Sequence, residues 1–219
     1  KFAIIDPETS YSLSQYQMAC GSSDILAHLM ERYFTTVEHT ELTDRMIEGA
    51  CVTIINNALK AVKNPTDYDT RAEIMITSTF AHNNMLDCGR IGDWGSHNIE
   101  HELSGSYNIA HGAGLSIIFP AWMKYVWKSN PAKFVQFGQR VWGINSYPDD
   151  TEYTVTQMIR RLEDWYKQLG LPTRLGEIGI DGSQFEAMAE RALVNRESGL
   201  GNFVKLKKQD IIEIFKLAL

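Results

Sequence analysis

The stretch DWGSHNIEHELSGSYNIAHGAG, residues 93–114, holds three of the six histidines in the 219-residue chain: His97, His101 and His111. His97 and His101 are four apart, so on a helix they share one face. His111 follows His97 by fourteen residues. One unbroken helix would carry it about 21 Å away at 1.5 Å per residue, too far to share an ion. Either His111 is unrelated to the other two, or the chain breaks between them and folds back. Ser104-Gly105-Ser106-Tyr107-Asn108 is breaker sequence, and the expected break is at Gly105.

Outward from this stretch the chain reads as helices. In the N-terminal direction, residues 68–90 form a helix rich in small residues, and residues 41–63 form a long amphipathic one. Asp24–Phe34 has helical apolar spacing, with Gly21-Ser22-Ser23 as its start and a short helix over 13–20 before it. Phe2-Ala3-Ile4-Ile5 is a brief strand or an extended entry segment. In the C-terminal direction, residues 115–126 are apolar nearly all round and read as a buried central helix, with a kink or shifted boundary expected at Pro120. Helices then start at Pro131, at Pro148-Asp149-Asp150 (stopped by Gly170) and at Asp181-Gly182-Ser183 (to about Asn195). A last one holds Ile211, Ile212, Ile214, Phe215 and Leu217. The reading is one all-α domain, residues 1–219, of about nine helices.

Composition excludes several classes. Net charge is −6 and the basic residues are dispersed, which argues against a nucleic-acid partner. No uninterrupted apolar stretch is long enough to span a membrane. Cys20, Cys51 and Cys88 are odd in number, form no CxxC pair and fit reduced thiols in a cytoplasmic protein. Glycines at 89–95 and 112–114 follow no strand, so there is no dinucleotide fingerprint or P-loop, and His101-Glu102 lacks the second histidine of a metalloprotease helix. The first residue is Lys1, which fits a piece of a longer protein.

Asp24 and His28 are also four apart and share a helix face. With the three histidines of the opening stretch they offer one carboxylate and four imidazoles, of which a four-ligand site with one open position would take three. That set suits iron(II) or zinc and is poor for calcium or magnesium. One open position would let the ion act as a Lewis acid on a substrate oxygen. Each part has a plainer reading: Asp24-x-x-x-His28 as a surface or capping pair, His97-x-x-x-His101 as two half-buried helix histidines, and His111 as a helix cap. Spacing alone does not separate His97 from His101 as a ligand. His39 reads as surface; His82 is a polar neighbour of the site or a satisfied buried histidine.

D-x-x-x-H early in a helical domain, followed by H-x-x-x-H-x9-H-G, resembles the metal site of the iron-containing (group III) alcohol dehydrogenases. The surrounding text is similar to their butanol dehydrogenase and aldehyde reductase branch: Asp6-Pro-Glu-Thr, Asp24 to Tyr33, Tyr68-Asp-Thr-Arg71, Asp93-Trp94, His111-Gly-Ala-Gly114, Arg140-Val-Trp142 and Gln168-Leu-Gly-Leu-Pro172. One departure is Ser12-Leu-Ser14, where relatives usually carry proline after the leucine. The resemblance implies the C-terminal, all-helical metal-binding domain of that fold, the nucleotide-binding domain lying outside this chain. It implies Asp24, His28, His97 and His111 as ligands of a divalent metal, iron or zinc. His101 is then the catalytic residue beside the nicotinamide of NAD(P)H, and Trp94 shapes a small pocket. It further implies a small alcohol and aldehyde pair as substrate, and a homodimer as full-length enzyme. A glycerol-dehydrogenase-like or dehydroquinate-synthase-like metalloenzyme domain, or a non-catalytic helical module, stands as the alternative.

Overall fold

The computed structural model describes residues 2–145 and 150–219. Among these, nine α-helices account for the architecture: α1 (Gln15–Tyr33), α2 (Glu41–Lys63), α3 (Tyr68–His82), α4 (Gly95–Tyr107), α5 (His111–Val126), α6 (Pro131–Trp142), α7 (Thr151–Gln168), α8 (Phe185–Ala192) and α9 (Lys208–Leu217). The all-α reading holds. The one β-type pairing among the described residues is an isolated bridge between Leu200 and Leu206. Phe2–Ile5 belongs to no helix or strand, and Phe2 and Ile4 are exposed. No helix among the described residues is long and apolar enough to cross a membrane.

α1 and α5 are the two central elements, packed on each other; α1 also packs on α2 and α3, and α5 on α4, α7 and α9. α1 is a single helix running through Gly21-Ser22-Ser23, not a short helix followed by a second start. The small residues there form a packing notch. Ser22 and Ser23 are buried, and Ser23 Oγ donates to the Gly112 carbonyl at 2.7 Å. Opposite them, a Cβ on Gly112 would stand 2.0 Å from the Cys20 carbonyl oxygen. The helix begins instead at Ser14, whose hydroxyl accepts from Gln17 N while Gln17 reaches back to Ser14 N. Ser14 is therefore the cap of α1.

α3 stops at His82 rather than near residue 90. Asn84 is left-handed (φ 64°), and a 3-10 turn at Met85–Asp87 follows. α4 runs through Ser104-Gly105-Ser106, and the break lies at Asn108, whose left-handed φ of 52° ends the helix. Only Ile109 and Ala110 separate it from α5, so His111 is returned to the start of a helix packed against α4. α5 contains Pro120 without a boundary there. α7 is capped by Asp150; the expected start residues Pro148 and Asp149 lie outside the described residues. Asp181–Ser183 forms a turn, with Asp181 Oδ1 accepting from Ser183 N, and α8 spans only Phe185–Ala192.

The buried apolar residues form one continuous cluster. Its densest part is aromatic: Phe34 stacks on Phe134 at 4.5 Å and meets Trp122, Phe137 and Phe203 edge-on or tilted. This cluster fixes the end of α1 against α5 and α6, and so fixes the face of α1 that carries Asp24 and His28.

Candidate metal centre

The expected ligands converge from three helices. α1 supplies Asp24 and His28, one turn apart. α4 supplies His97 in its first turn, and α5 supplies His111 as its first residue. Asp24 Oδ1 lies 3.2 Å from His28 Nδ1, 3.4 Å from His111 Nε2 and 3.7 Å from His97 Nε2. His97 Nε2 is 3.2 Å from His28 Nδ1. Despite this crowding, Asp24 Oδ1 is buried with no hydrogen-bond partner. A buried carboxylate oxygen without a donor is costly. The atoms around it are imidazole nitrogens, the donor set of a divalent transition metal, and Asp24, His97 and His111 can close on one ion.

Two buried glutamates that the spacing argument missed hold the imidazoles. Glu31, fully buried on α1, accepts from His97 Nδ1 at 2.8 Å. The same carboxylate accepts from the backbone N of Trp94 and His97 and from Ser96 Oγ, at 2.6, 3.0 and 2.7 Å. It thus satisfies the amino end of α4 from a neighbouring helix. Glu100, also fully buried, bonds His111 Nδ1 and accepts from Ser104 Oγ. A Cβ on Gly114 would collide with Glu100, so the glycine three residues after His111 makes room for that carboxylate. In both pairs the carboxylate occupies Nδ1 and leaves Nε2 facing Asp24, the arrangement that fixes a metal-binding tautomer. The sequence signal was there: Glu31 is three after His28, and Glu100 three after His97. A glutamate on a helix ordinarily reads as solvated, and burial is not visible in spacing.

The electrostatics follow. Burial by itself would raise the Asp24 carboxyl; the imidazoles of His28, His82 and His97 outweigh it and hold the group well below the usual carboxylate range. Burial would lower His97; the carboxylates of Asp24 and Glu31 outweigh it and lift the imidazole to about 9. Asp93 is pushed up to about 7 by burial and by Glu31, while accepting from the backbone N of Gly95, Asn202 and Phe203. It ties the α4 start to the segment before α9.

The remaining expected site residues are close but differently placed. His101 is exposed on α4, its ring 5.2 Å from that of His111; burial and the His111 charge push it below its ordinary value. Trp94, in a left-handed conformation (φ 62°) before α4, stands edge-on to His28 and His97 at 5.5 and 5.4 Å, with Arg32 over its ring at 4.9 Å. Left-handed backbone is unusual for so large a side chain; the Glu31 bond to Trp94 N holds it. His39 is at the surface as expected. His82 is not a satisfied buried histidine. It is exposed, and its Nε2 lies 3.5 Å from Asp24 Oδ2. A cavity of about 410 Å³ lies elsewhere, between the start of α2 and α6; its lining includes Asp44, Lys133 and Arg140 and none of the histidines of the centre.

Known proteins resemble this chain over most or all of its length. The profile of the Fe-containing alcohol dehydrogenase family, C-terminal, matches residues 18–219. The NADH-dependent butanol dehydrogenase A of Clostridium acetobutylicum is 36% identical over 217 residues, which cover 99% of this chain and 56% of the relative. The NADPH-dependent aldehyde reductase YqhD of Escherichia coli is 34% identical over 190 residues, 87% of this chain and 49% of that protein. The solved substrate- and cofactor-free form of YqhD superposes with a TM-score of 0.94 at 31% identity, covering all of this chain and 57% of that one. An NADH-dependent butanol dehydrogenase A structure from Thermotoga maritima gives 0.92 at 34% identity, covering 98% and 55%. The chain thus spans a little over half the length of the curated relatives it matches first. By its profile, its relatives and its helical fold, this chain belongs to the Fe-containing alcohol dehydrogenase family.

Proposed function

We propose that this chain is the metal-binding half of an NAD(P)H-dependent alcohol dehydrogenase or aldehyde reductase of the butanol dehydrogenase type. The observation that carries the reading is Asp24 Oδ1: buried, without a hydrogen bond, and faced by three imidazoles, two of them braced by buried glutamates. In this reading Asp24, His28, His97 and His111 hold a divalent ion, iron or zinc. When bound, that ion supplies Lewis-acid polarisation of the substrate oxygen.

The chain's own residues do the rest. Glu31 and Glu100 keep the Nδ1 protons of His97 and His111 in place, so that both Nε2 atoms stay free of hydrogen. Trp94 walls the histidine cluster on one side and excludes water from it. Hydride transfer to an aldehyde carbon consumes one proton at the oxygen, and His101 exchanges that proton with solvent through its imidazole nitrogens. The nicotinamide cofactor carries the hydride and is held mainly by a nucleotide-binding domain outside these 219 residues. Relatives named for butanol and for aldehydes support a small alcohol and aldehyde pair as substrate, and NADH and NADPH each appear in their names. Three free cysteines support a reducing cytoplasmic setting.

Elemental analysis of the purified chain tests the central claim. One iron or zinc per chain is expected, lost in Asp24→Ala and bound more weakly in His97→Ala; a chain without stoichiometric metal, or variants with full parental affinity, sinks the reading. NAD(P)H oxidation by this chain alone is expected to be nil, and measurable turnover would remove the second half of it.

A further inference from the structure

Asp24 faces imidazoles on both of its oxygens. Oδ1 is turned to His28, His97 and His111; Oδ2 is turned to His82, whose Nε2 is 3.5 Å away. The His82 ring lies 4.1 Å from the His28 ring, and Asp24, His28 and His82 can close on one ion without the inner histidines. Nothing in the proposed reaction uses His82. Its imidazole is nonetheless oriented as a ligand would be. His82 is the last residue of α3, and its Nδ1 is 2.7 Å from the carbonyl of Ser78, one turn earlier. With Nδ1–H donating there, the Nε2 lone pair points at Asp24. The neighbouring cation, Arg32, is paired with Asp87 at 3.0 Å, so it does not close this side to a cation.

We infer that Asp24 Oδ2, His28 and His82 form an outer capture position for a divalent transition metal, from which the ion passes to the inner ligands. Two imidazoles and one carboxylate with open positions take iron(II) or zinc and disfavour calcium and magnesium. The two positions share Asp24 and His28, so they hold one ion in turn and not two at once: one carboxylate does not offset the repulsion of adjacent dications. Exposure gives the direction. The His82 side chain is 37% exposed, against 33% for His111, 18% for His28 and 5% for His97, so His82 is the imidazole of the two positions that solvent reaches most. Moving inward exchanges one imidazole for two while the carboxylate turns from one oxygen to the other.

The inference rests on the metal-centre reading through the shared Asp24, and its test separates the two. The probe is zinc, with cobalt(II) absorption as a second readout. His97→Ala/His111→Ala removes the inner position alone. That variant is expected to keep one zinc per chain, weaker than in the parent, and addition of His82→Ala is expected to lower the remaining affinity at least tenfold. In the otherwise unaltered chain, His82→Ala and His82→Gln are expected to slow cobalt(II) uptake in stopped-flow mixing severalfold while leaving the final spectrum and stoichiometry unchanged. Unchanged uptake rates in both single variants, or unchanged zinc affinity on removing His82 from the inner-site variant, would overturn the capture position. If the inner-site variant misfolds, the uptake rates decide alone. The metal-centre reading fails by a different result: full parental affinity without His97 and His111.

Discussion

The histidine cluster around Asp24 and the polar cluster around Asp44 are made of similar material and end in opposite states. Around Asp44, at the junction of α2 and α6, each buried carboxylate meets cations. Asp44 accepts from Arg90 at 2.9 Å, Lys133 at 2.5 Å and Gln136 at 2.9 Å; Glu48 accepts from Tyr33 at 2.9 Å and Arg140 at 3.2 Å. Burial would raise the Asp44 carboxyl, and Lys133 and Arg90 more than reverse it. Both carboxylates of that network are paired, though Arg90 Nε is buried without a partner, and the network fixes α2, α6 and the Arg90 loop. Around Asp24 an oxygen without a hydrogen bond and imidazole nitrogens face one another, while the outer sides of His97 and His111 are tightly held by Glu31 and Glu100. A polar cluster that is complete is structural. One that is rigid at its back and incomplete at its front is built for something else to enter.

The comparison breaks most visibly at Asp24. Asp24→Ala is expected to lower zinc affinity by more than the roughly 100-fold that a lost supporting partner costs, with the thermal midpoint of the metal-free chain unchanged or raised above pH 9, where His97 no longer carries the proton that Asp24 holds. A lowered midpoint and intact affinity, by isothermal titration and calorimetry, would make Asp24 structural after all. The mirror experiment is Asp44→Ala. It leaves Arg90 and Lys133 buried without their carboxylate, and the expected loss is about 3–5 kcal/mol in denaturant unfolding, with zinc affinity per folded chain unaffected.

Glu100→Gln sharpens the point by altering only the back of the centre. An amide keeps the shape but withdraws the charge from His111 Nδ1, and zinc affinity should fall roughly 10- to 100-fold. An effect on stability without one on affinity would place Glu100 with Asp44 rather than with the metal centre. The pH dependence separates the clusters again. In the metal-free chain His97 is lifted to about 9, well above the roughly 6.5 of an unfolded histidine. The folded state therefore holds the extra proton between those values. The stabilisation is complete below about pH 6.5 and is lost as pH rises to 9, with a slope of at most about 1.4 kcal/mol per pH unit. Zinc competes with that proton, so zinc affinity should rise over the same window. Melting and titration between pH 6 and 10 measure both, and His97→Gln should flatten the first.

Much of this was legible in the residues. The Met46-to-Val62 periodicity marked α2 over residues 41–63 as the structure has it, because an amphipathic face records burial directly in spacing. The five expected site side chains other than Trp94 reach one locale because i, i+4 pairs survive any helix packing. What was not legible depends on tertiary neighbours. Gly21-Ser22-Ser23 reads as a start by composition, and only the approach of Gly112 to Cys20 shows it to be a notch. Glu31 and Glu100 look solvated until α4 and α5 cover them. His82 comes to Asp24 because Asn84 ends α3 where it does, and a spacing rule confined to one helix does not connect residues 24 and 82.

The smallest expected effect tests where the chain turns back, the step on which the whole centre depends. Composition pointed to Gly105, but Gly105 sits inside α4 with open space where its Cβ would be. An interior helical glycine costs entropy and gains nothing there, so Gly105→Ala should stabilise the chain by about 0.5–1 kcal/mol and leave zinc affinity unchanged. Asn108 carries the left-handed turn, with its N–H bonded to the Ser104 carbonyl at 3.0 Å. Asn108→Ala keeps a Cβ in that conformation but removes the side-chain amide that makes it tolerable and should cost on the order of 1 kcal/mol, whereas Asn108→Gly should be near neutral. Opposite signs at two positions three residues apart locate the break by unfolding measurements alone. If Gly105→Ala destabilises and weakens zinc binding, the turn that returns His111 to His97 starts at the glycine, and the α4–α5 geometry that places His111 against Glu100 would need to be redrawn.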